Sequence, residues 1–331
     1  MSFPMTTQTE ANGPLDPARL SPWRQIGTPV ADCRNARHAL EKAGLAGWNI
    51  RKLQQSGTDI TPNGVTTINN PEQVMLVRDD PATGQVRYLS SVGSGYGIRQ
   101  NEEQADLLDA LVAESGAESL ADAGQLDGGK RTFVTMKLPQ TMTVAGLDPV
   151  ELYLAVFNSH DGSSSFRVMI VPFRIWCANQ LGVAIRDRVS EVSIRHTRNA
   201  EIKVEEIRSK LGLMYSYAEA FEREARKMLD AELTTPEFRE VVETIWPVDD
   251  NAPVRTRNNA ERRRGELMRL WSSADTQQAV RGTRWAGWQA ITEYVDHFQP
   301  AKDSTIRAHR VLTSGTVANR KQRAFDLLAV A

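Results

Sequence analysis

The stretch that decides the fold runs from Glu151 to Leu181 and reads ELYLAVFNSHDGSSSFRVMIVPFRIWCANQL. Two apolar runs, 151–157 and 166–176, flank a polar segment that contains Asp161-Gly162. An Asp-Gly pair between two apolar runs is a strong signal for a β-hairpin. Because both runs are apolar on both faces, we expect two buried strands, followed by a helix that begins near Cys177.

The sequence around this hairpin predicts an α+β fold. Residues 131–138 alternate in polarity, which predicts a half-exposed strand with Arg131, Phe133 and Lys137 on its outer face. Residues 56–71 are predicted to form a loop. Beyond residue 199 the apolar residues recur at helical spacing almost everywhere. We therefore expect an antiparallel sheet with packed helices, followed by a mainly helical C-terminal region.

The predicted domains follow from composition and from this change of period. Residues 1–22 contain four prolines among polar residues and should form a flexible N-terminal arm. Residues 23–232 should form the α+β core domain, and 233–331 the helical C-terminal region. No internal repeat of fixed period is visible.

Length and composition describe an ordinary globular protein. The chain has 331 residues, of which 40% are hydrophobic and 24% charged, enough for one large or two medium domains. The sequence contains neither a run of about 18 apolar residues nor a secretory signal, so we expect a cytoplasmic protein. With two cysteines, a disulfide framework or a cysteine zinc site is not expected.

The charge is unevenly distributed although the net charge is only −1. Residues 251–331 hold 14 Lys and Arg against 7 Asp and Glu. This surplus indicates that the C-terminal region could meet a polyanion. The alternative is that paired charges merely solvate the surfaces of helices.

Two short motifs invite a catalytic interpretation that their spacing does not support. Ser159, His160 and Asp161 are adjacent, so their side chains diverge and do not form a triad. They are typical of a tight turn, although His160 and Asp161 could instead be exposed at a hairpin tip and contact a ligand or metal. The glycine-rich run 93–97 lacks the spacing of a dinucleotide fingerprint or a P-loop.

Basic residues around the central strands suggest a binding surface. Cations that follow phosphates, interleaved with an aromatic ring that stacks on bases, are typical of single-stranded nucleic-acid binders. The alternative is a solvated basic face. The candidate nucleic-acid-binding residues are Lys130, Arg131, Phe133, Lys137, Arg167, Arg174, Arg195, His196, Arg198 and Lys203.

Three motifs carry a resemblance to a known family. The NSHDGS turn at 158–163, the P-F-R-x-x-C-A-N stretch at 172–179 and I-R-H-T at 194–197 occur in the order found in phage/plasmid-like proteins of domain of unknown function 932. The resemblance covers roughly the first two-thirds of the chain and implies a mobile-element setting without an assigned chemistry. The order of elements is also similar in outline to Rad52-like single-strand annealing proteins, an analogy that does not fix function.

The leading hypothesis is a phage or plasmid DNA-metabolism protein that binds single-stranded DNA and self-associates as a homo-oligomer. Strand annealing in recombination or replication would be its task, in the host cytoplasm if a phage encodes it. Neither a cofactor nor a metal is expected, and the leading hypothesis does not include catalysis. The alternatives are a metal-assisted nuclease centred on His160 and Asp161, or a noncatalytic interaction protein that acts against host defence.

Overall fold

The apolar hairpin of the sequence lies in the middle of an antiparallel sheet. The structure is a computed structural model that describes residues 20–162, 166–174, 179–180, 191–194 and 204–329. In chain order the elements are α1 (Pro22–Ile26), β1 (Thr28–Pro29), α2 (Ala36–Lys42), β2 (Arg51–Thr61), β3 (Gly64–Asp79), β4 (Val86–Gly93), α3 (Ala105–Ser115), β5 (Ser119–Leu126), β6 (Arg131–Val144), β7 (Asp148–Ser159), β8 (Phe166–Arg174), β9 (Asn179–Gln180), β10 (Glu191–Ile194), α4 (Val204–Asp230), α5 (Thr235–Ile245), α6 (Val254–Ser273), α7 (Arg284–Glu293), α8 (Ser304–Thr313) and α9 (Gly315–Leu328).

The larger sheet contains the two strands that the sequence predicted as buried. Its order within the described residues is β1-β5-β6-β7-β8-β10, with β9 beside β8. Val156 of β7 pairs with Val134 of β6 on one side and Val168 of β8 on the other, both antiparallel. The α+β fold with a helical C-terminal half is confirmed.

Both faces of this sheet are covered, which corrects the prediction of a half-exposed strand at 131–138. One face packs on the main core, to which α4 contributes Tyr217 and Phe221. The other face packs on a smaller cluster that contains Trp23 of α1, with Leu312 of α8 against it. The alternation in β6 therefore separates two buried faces, because helices from both ends of the chain close over the sheet.

The segment predicted as a loop at 56–71 is instead part of a long β-hairpin. Strands β2 and β3 pair from Arg51 and Val77 out to Thr61 and Gly64. The Thr, Asn, Ser and Gly content suggested a loop, since these residues favour turns over sheets. The signal for the hairpin was Asn63-Gly64 at its tip, where Gly64 has a φ of 139°.

The helices agree more closely with the sequence. Helix α4 matches the predicted long stripe, and α5 begins with the predicted cap, since the side chains of Thr234 and Glu237 form a capping box. Helix α8 was not predicted. Residues Asn179 and Gln180, predicted within a helix, form β9; residues 175–178 and 181–190 lie outside the described residues.

Two further expectations concern the ends of the chain and the membrane. Residues 1–19 of the predicted arm lie outside the described residues, and the domain boundaries remain predictions. Among the described helices, none combines the length and the apolar character that a bilayer crossing requires.

Candidate nucleic-acid interface

Two of the predicted cations on β6 are neutralised by acidic neighbours. The guanidinium of Arg131 is hydrogen-bonded to the carboxylate of Asp127, four residues earlier in the chain. The ammonium of Lys137 lies 2.8 Å from a carboxylate oxygen of Glu151 on β7. Each cation on this strand therefore has a neighbouring carboxylate that balances part of its charge.

Arg174 lies in the interior, where it holds the sheet to the C-terminal helices. Its side chain is 1% exposed, and its Nε is 2.7 Å from Asp148 Oδ2. Its other nitrogens donate to the carbonyl of Thr276 at 2.7 Å and to Gln277 Oε1 at 3.3 Å. Trp285 Nε1 also donates to Asp148, at 2.6 Å. The prediction that Arg174 binds phosphate is wrong, because the side chain is buried and bonded on every side.

Phe133 is also buried, so the prediction that it stacks on a base is wrong. Its ring is 1% exposed and lies 5.0 Å from the ring of Trp23. Two glycines allow this packing: a Cβ at Gly27 or Gly124 would approach the ring to within 3.0 Å. Helix α1 thus closes over the face that the strand pattern had assigned to solvent.

Two of the remaining predicted residues, Lys130 and Arg167, are described by the structure, and neither is fully exposed. Lys130 is half-buried at the turn before β6. Arg167 is half-buried, and its guanidinium lies 5.4 Å from the centre of the Phe157 ring. Arg195, His196, Arg198 and Lys203 lie outside the described residues.

His160 is buried and Asp161 is half-buried, so the alternative in which both are exposed is wrong for His160; residues 163–165 of the same turn lie outside the described residues. His160 is 1% exposed, and its Nε2 lies 2.9 Å from Asn101 Oδ1. The backbone N–H of His160 donates to the carbonyl of Lys130 at 2.7 Å. Asp161 accepts a hydrogen bond from Ser159 Oγ at 2.7 Å. Within the described residues, no three His, Cys, Asp or Glu side chains are placed to hold a metal ion.

Tyr96 packs against the same turn. The hydroxyl of Tyr96 donates to the carbonyl of Ser159 at 2.9 Å. Burial, aided by the negative charge of Asp161, raises the pKa of Tyr96 to about 12. The glycine-rich run 93–97, to which Tyr96 belongs, therefore follows strand β4 and packs the ring against the NSHDGS turn.

The strongest candidate site lies in the C-terminal helices. Four half-buried arginines meet there around two aromatic rings. We call this region the arginine groove. It is lined by Arg263 of α6, Arg320 of α9, Trp246 at the end of α5, and Tyr294, and it is flanked by Arg307 and Arg310 of α8, which bond the carbonyls of the lining residues Gln299 and Pro300.

Trp246 holds two of the guanidinium groups. The guanidinium carbons of Arg263 and Arg320 lie 5.4 Å and 5.7 Å from the centre of its ring. Tyr294 meets the same ring edge-on, with the centroids 5.9 Å apart. Since the indole is buried and already carries two cations, it positions arginines and is not itself free to stack on a base.

The two arginines of α8 are held by backbone carbonyls. Arg307 Nε donates to the carbonyl of Gln299 at 3.1 Å. Arg310 donates to the carbonyls of Pro300 at 3.0 Å and Gln299 at 3.3 Å. The Nε of Arg310 is buried without a hydrogen-bond partner. These bonds orient the guanidinium groups but do not cancel their charge.

Several positive charges lie close together around the groove, and the carboxylate that lines it, Glu266, is paired with Arg269. Burial, and then the nearby charges of Arg320 and Arg264, lower the pKa of Arg263. Burial, and then Arg307 and Arg320, lower the pKa of Arg310. In the part of the chain that the structure describes, none of the four arginines forms an ion pair with a carboxylate. A bound anion would relieve this repulsion.

The groove is large enough for part of a polymer. It encloses a volume of about 600 Å³, within the range of roughly 300–1,000 Å³ that is usual for ligand sites. Its lining includes Trp246, Arg262, Arg263, Glu266, Tyr294, Phe298 and Arg320. A second cavity of about 580 Å³ shares Trp246 and Arg263, but it is also lined by Glu243, Asp249, Asp250 and Glu261, so the basic surface does not extend into it.

A π-helical turn forms one wall of the groove. Residues Tyr294–Phe298 follow α7 in this conformation, which is rare and frequent at functional sites. Asp296 in this turn pairs with Lys321 of α9 at 2.6 Å, and both side chains are buried. The pair fixes α9 against the turn and so positions Arg320, the residue that precedes Lys321.

Sequence reasoning had indicated this region but not this site. The surplus of cations in 251–331 pointed to the C-terminal region. The run Arg262-Arg263-Arg264 was the visible local signal. The sequence pattern did not show that α6, α8 and α9 come together, because these helices are separated by up to about sixty residues in the chain.

Comparison with known proteins identifies the family. The chain belongs to the family described as domain of unknown function DUF932, which matches residues 88–317. The match includes most of the C-terminal third, so the predicted extent of the resemblance, the first two-thirds, was wrong at both ends. No curated protein and no solved structure matches the chain significantly.

Proposed function

We propose that this protein binds single-stranded nucleic acid, with single-stranded DNA as the expected partner, through the arginine groove. One observation carries the proposal: Arg263 and Arg320 lie on the ring of Trp246, the charge of Arg310 acts on Arg320 and Tyr294, and none of the three forms an ion pair with a carboxylate among the described residues. A guanidinium group can donate two parallel hydrogen bonds to a phosphate, and it keeps its charge when half-buried.

The shape of the groove favours a single strand over a duplex. Arg262, Arg263 and Arg320 line a concave surface between helices, together with the partly exposed Phe298. A single strand can turn its phosphates inward and place unpaired bases against aromatic and apolar walls. Paired bases of a duplex are stacked away from such a wall. Strand annealing in the recombination or replication of a phage or plasmid extends the proposal.

The test is the salt dependence of oligonucleotide binding. Binding to single-stranded DNA should weaken with a log–log slope of about −0.7 per neutralised phosphate, hence roughly −3 for four arginines. Fluorescence anisotropy with a labelled oligonucleotide, between about 50 and 200 mM salt, measures this slope. The double variant Arg263→Ala/Arg320→Ala should reduce the slope to roughly −1.5.

The matched control removes the same charge elsewhere. Arg239 of α5 and Arg255 of α6 are exposed and do not line the groove. The double variant Arg239→Ala/Arg255→Ala should keep most of the affinity and the slope of the original chain. Binding that is absent or insensitive to salt would reject the proposal, as would equal losses in the two double variants.

A further inference from the structure

Two residues at the C-terminal end of the π-helical turn line the arginine groove without contributing charge to it. Phe298 and Gln299 are both half-buried, and they share the cavity with Arg262, Arg263 and Arg320. Cations hold phosphates, whereas an aromatic ring stacks on a base and an amide bonds to its edge. The wall formed by residues 298 and 299 is therefore suited to a base.

Phe298 is the aromatic residue of the lining that a base can reach. Trp246 and Tyr294, which also line the groove, are only 7% and 5% exposed. The guanidinium carbon of Arg269 lies 5.4 Å from the centre of the Phe298 ring, and Arg269 itself is not part of the lining. Its Nε donates to Glu266 at 3.2 Å, and this bonding raises the pKa of Arg269. A fixed cation thus supports the ring from outside the cavity, which leaves its cavity side for a base.

The backbone of Gln299 is anchored on both sides of the side chain. Its N–H donates to the carbonyl of Tyr294 at 2.7 Å. Its carbonyl accepts hydrogen bonds from Arg307 at 3.1 Å and from Arg310 at 3.3 Å. A side chain that projects from such a fixed backbone loses less freedom when it binds a ligand.

The amide of Gln299 is unpaired, in contrast to its backbone. Its Oε1 is buried and accepts no hydrogen bond within the described part of the chain. A buried acceptor without a donor is unfavourable, and a ligand that brings a donor removes this cost. The amide carries an acceptor on one side and donors on the other, and a half-turn exchanges the two. It therefore matches a partner that presents a donor beside an acceptor.

The bases differ in whether they present this pair of groups. Adenine bonds a glutamine amide twice, because its 6-amino group donates to the oxygen while N7 accepts from the nitrogen. Cytosine also has an amino group, but it offers a smaller ring for stacking. Thymine has no amino group, and guanine presents two neighbouring acceptors, N7 and O6, which suit arginine instead.

We propose that the arginine groove holds an adenine at this wall, stacked on Phe298 and bonded through its 6-amino group to Gln299. The inference rests on the proposed function, because phosphates held by Arg263 and Arg320 bring the base to the wall. It adds a preferred base to that function and makes Gln299 the residue that determines it.

Base replacement in a short oligothymidylate tests the preference. One central thymine is replaced by adenine, cytosine, guanine or unsubstituted purine, and fluorescence anisotropy measures the affinity of each strand at the same salt concentration. The adenine strand should bind about tenfold more tightly than the thymine strand, because of its two hydrogen bonds. Unsubstituted purine stacks in the same way but lacks the amino group, so it should lose this gain. Equal affinity for every base, or tightest binding of guanine, would overturn the inference.

Replacement of Gln299 tests which residue reads the base. Gln299→Met keeps the length of the side chain and removes the amide, so the adenine strand should bind no better than the thymine strand. The matched control is Gln278→Met, since Gln278 is exposed and does not line the groove. This control should keep the preference for adenine. A preference that persists in Gln299→Met would reject the role of the amide.

Replacement of Phe298 tests the stacking. Phe298→Ala should weaken binding of the adenine strand by about tenfold, the usual loss when an aromatic platform for one base is removed. It should not change binding of a sugar–phosphate oligomer that has no bases. Phe298→Leu keeps an apolar side chain in the wall and should show the same selective loss if Phe298→Ala does not fold. Equal losses for the two ligands would assign the ring a structural role and overturn the inference.

The results separate this inference from the proposed function. Binding that depends steeply on salt but ignores the base would keep the arginine groove and reject the adenine site. Absence of binding to every oligonucleotide would reject both.

Discussion

The cations of the sheet and the arginines of the groove differ in their partners, although other cations of the C-terminal helices, such as Arg264 and Arg269, also pair with carboxylates. In the sheet, Arg131, Lys137 and Arg174 each have a carboxylate in contact. In the helices, Arg263 and Arg320 rest on an indole ring instead. A charge that is already paired contributes to the fold, whereas an unpaired charge in a groove remains available to a ligand.

Burial increases this difference. Arg174 and Asp148 are both 1% exposed, so their charges depend on each other. The groove arginines are half-buried, enough to orient them but not to remove them from solvent. The sequence shows the same residue type in both regions, and only the surroundings separate a buried, paired arginine from a half-buried one that has no carboxylate partner among the described residues.

The largest expected effect tests the structural side of the comparison. Arg174→Ala leaves Asp148 as an unpaired buried charge and should lower the free energy of unfolding by about 3–5 kcal/mol. Urea denaturation followed by circular dichroism measures the loss. The double variant Arg174→Met/Asp148→Leu removes both charges and should recover much of the stability. If Arg174→Ala were as stable as the original chain, the interior role of this arginine would be wrong.

The next effect concerns stabilisation by a ligand. An oligonucleotide at about a hundred times its dissociation constant should raise the free energy of unfolding by about 2.7 kcal/mol, since it binds only the folded chain. Thermal unfolding with and without the oligonucleotide shows this as a rise in Tm. The rise should shrink in Arg263→Ala/Arg320→Ala and persist in Arg239→Ala/Arg255→Ala. An equal rise in both variants would place the ligand elsewhere.

A direct comparison of one cation from each region comes third. Arg320→Ala removes an unpaired guanidinium and should weaken oligonucleotide binding by about tenfold, the loss of one charge-assisted contact. Lys137→Ala removes an ammonium already paired with Glu151 and should change the affinity little. Anisotropy titrations measure the oligonucleotide affinity of the two variants. A larger loss in Lys137→Ala than in Arg320→Ala would indicate that the binding surface lies on the sheet.

The smallest effect is alkaline sensitivity at the NSHDGS turn. The pKa of Tyr96 is raised from 10.0 to about 12, so the folded chain holds this proton more tightly than the unfolded chain. The resulting stability is complete below pH 10 and is lost as the pH rises towards about 12. Tyr96→Phe should flatten the stability curve in that window. An unchanged curve would show that the hydrogen bond from Tyr96 to Ser159 does not contribute to stability.

The sequence predicted best where local patterns decide the structure. The hairpin around Asp161-Gly162 and the long helix α4 follow from periodicity and turn chemistry. The outer part of the β2–β3 hairpin, residues 56–71, was missed because its polar residues resemble a loop, although Asn63-Gly64 marked its turn. Helix α8 was missed for the same reason, since its ends carry polar and charged residues.

The candidate site was predicted less well, for a physical reason. The outer face assigned to Phe133 is covered by α1, which precedes it by about one hundred residues in the chain. Strand alternation separates two faces but does not tell whether a distant helix covers one of them. The buried position of Phe133 and the pairing of Arg174 with Asp148 both depend on such distant contacts.

By itself, the sequence determined the central hairpin, the α+β class, the helical second half and the excess of positive charge beyond residue 250. These follow from periods of two and of about 3.6 residues and from counting charges, which need no knowledge of contacts. The tertiary structure decided which cations are free. Helices α6 and α9 had to meet at Trp246 before Arg263 and Arg320 could share one groove, and local sequence patterns do not determine contacts between distant segments.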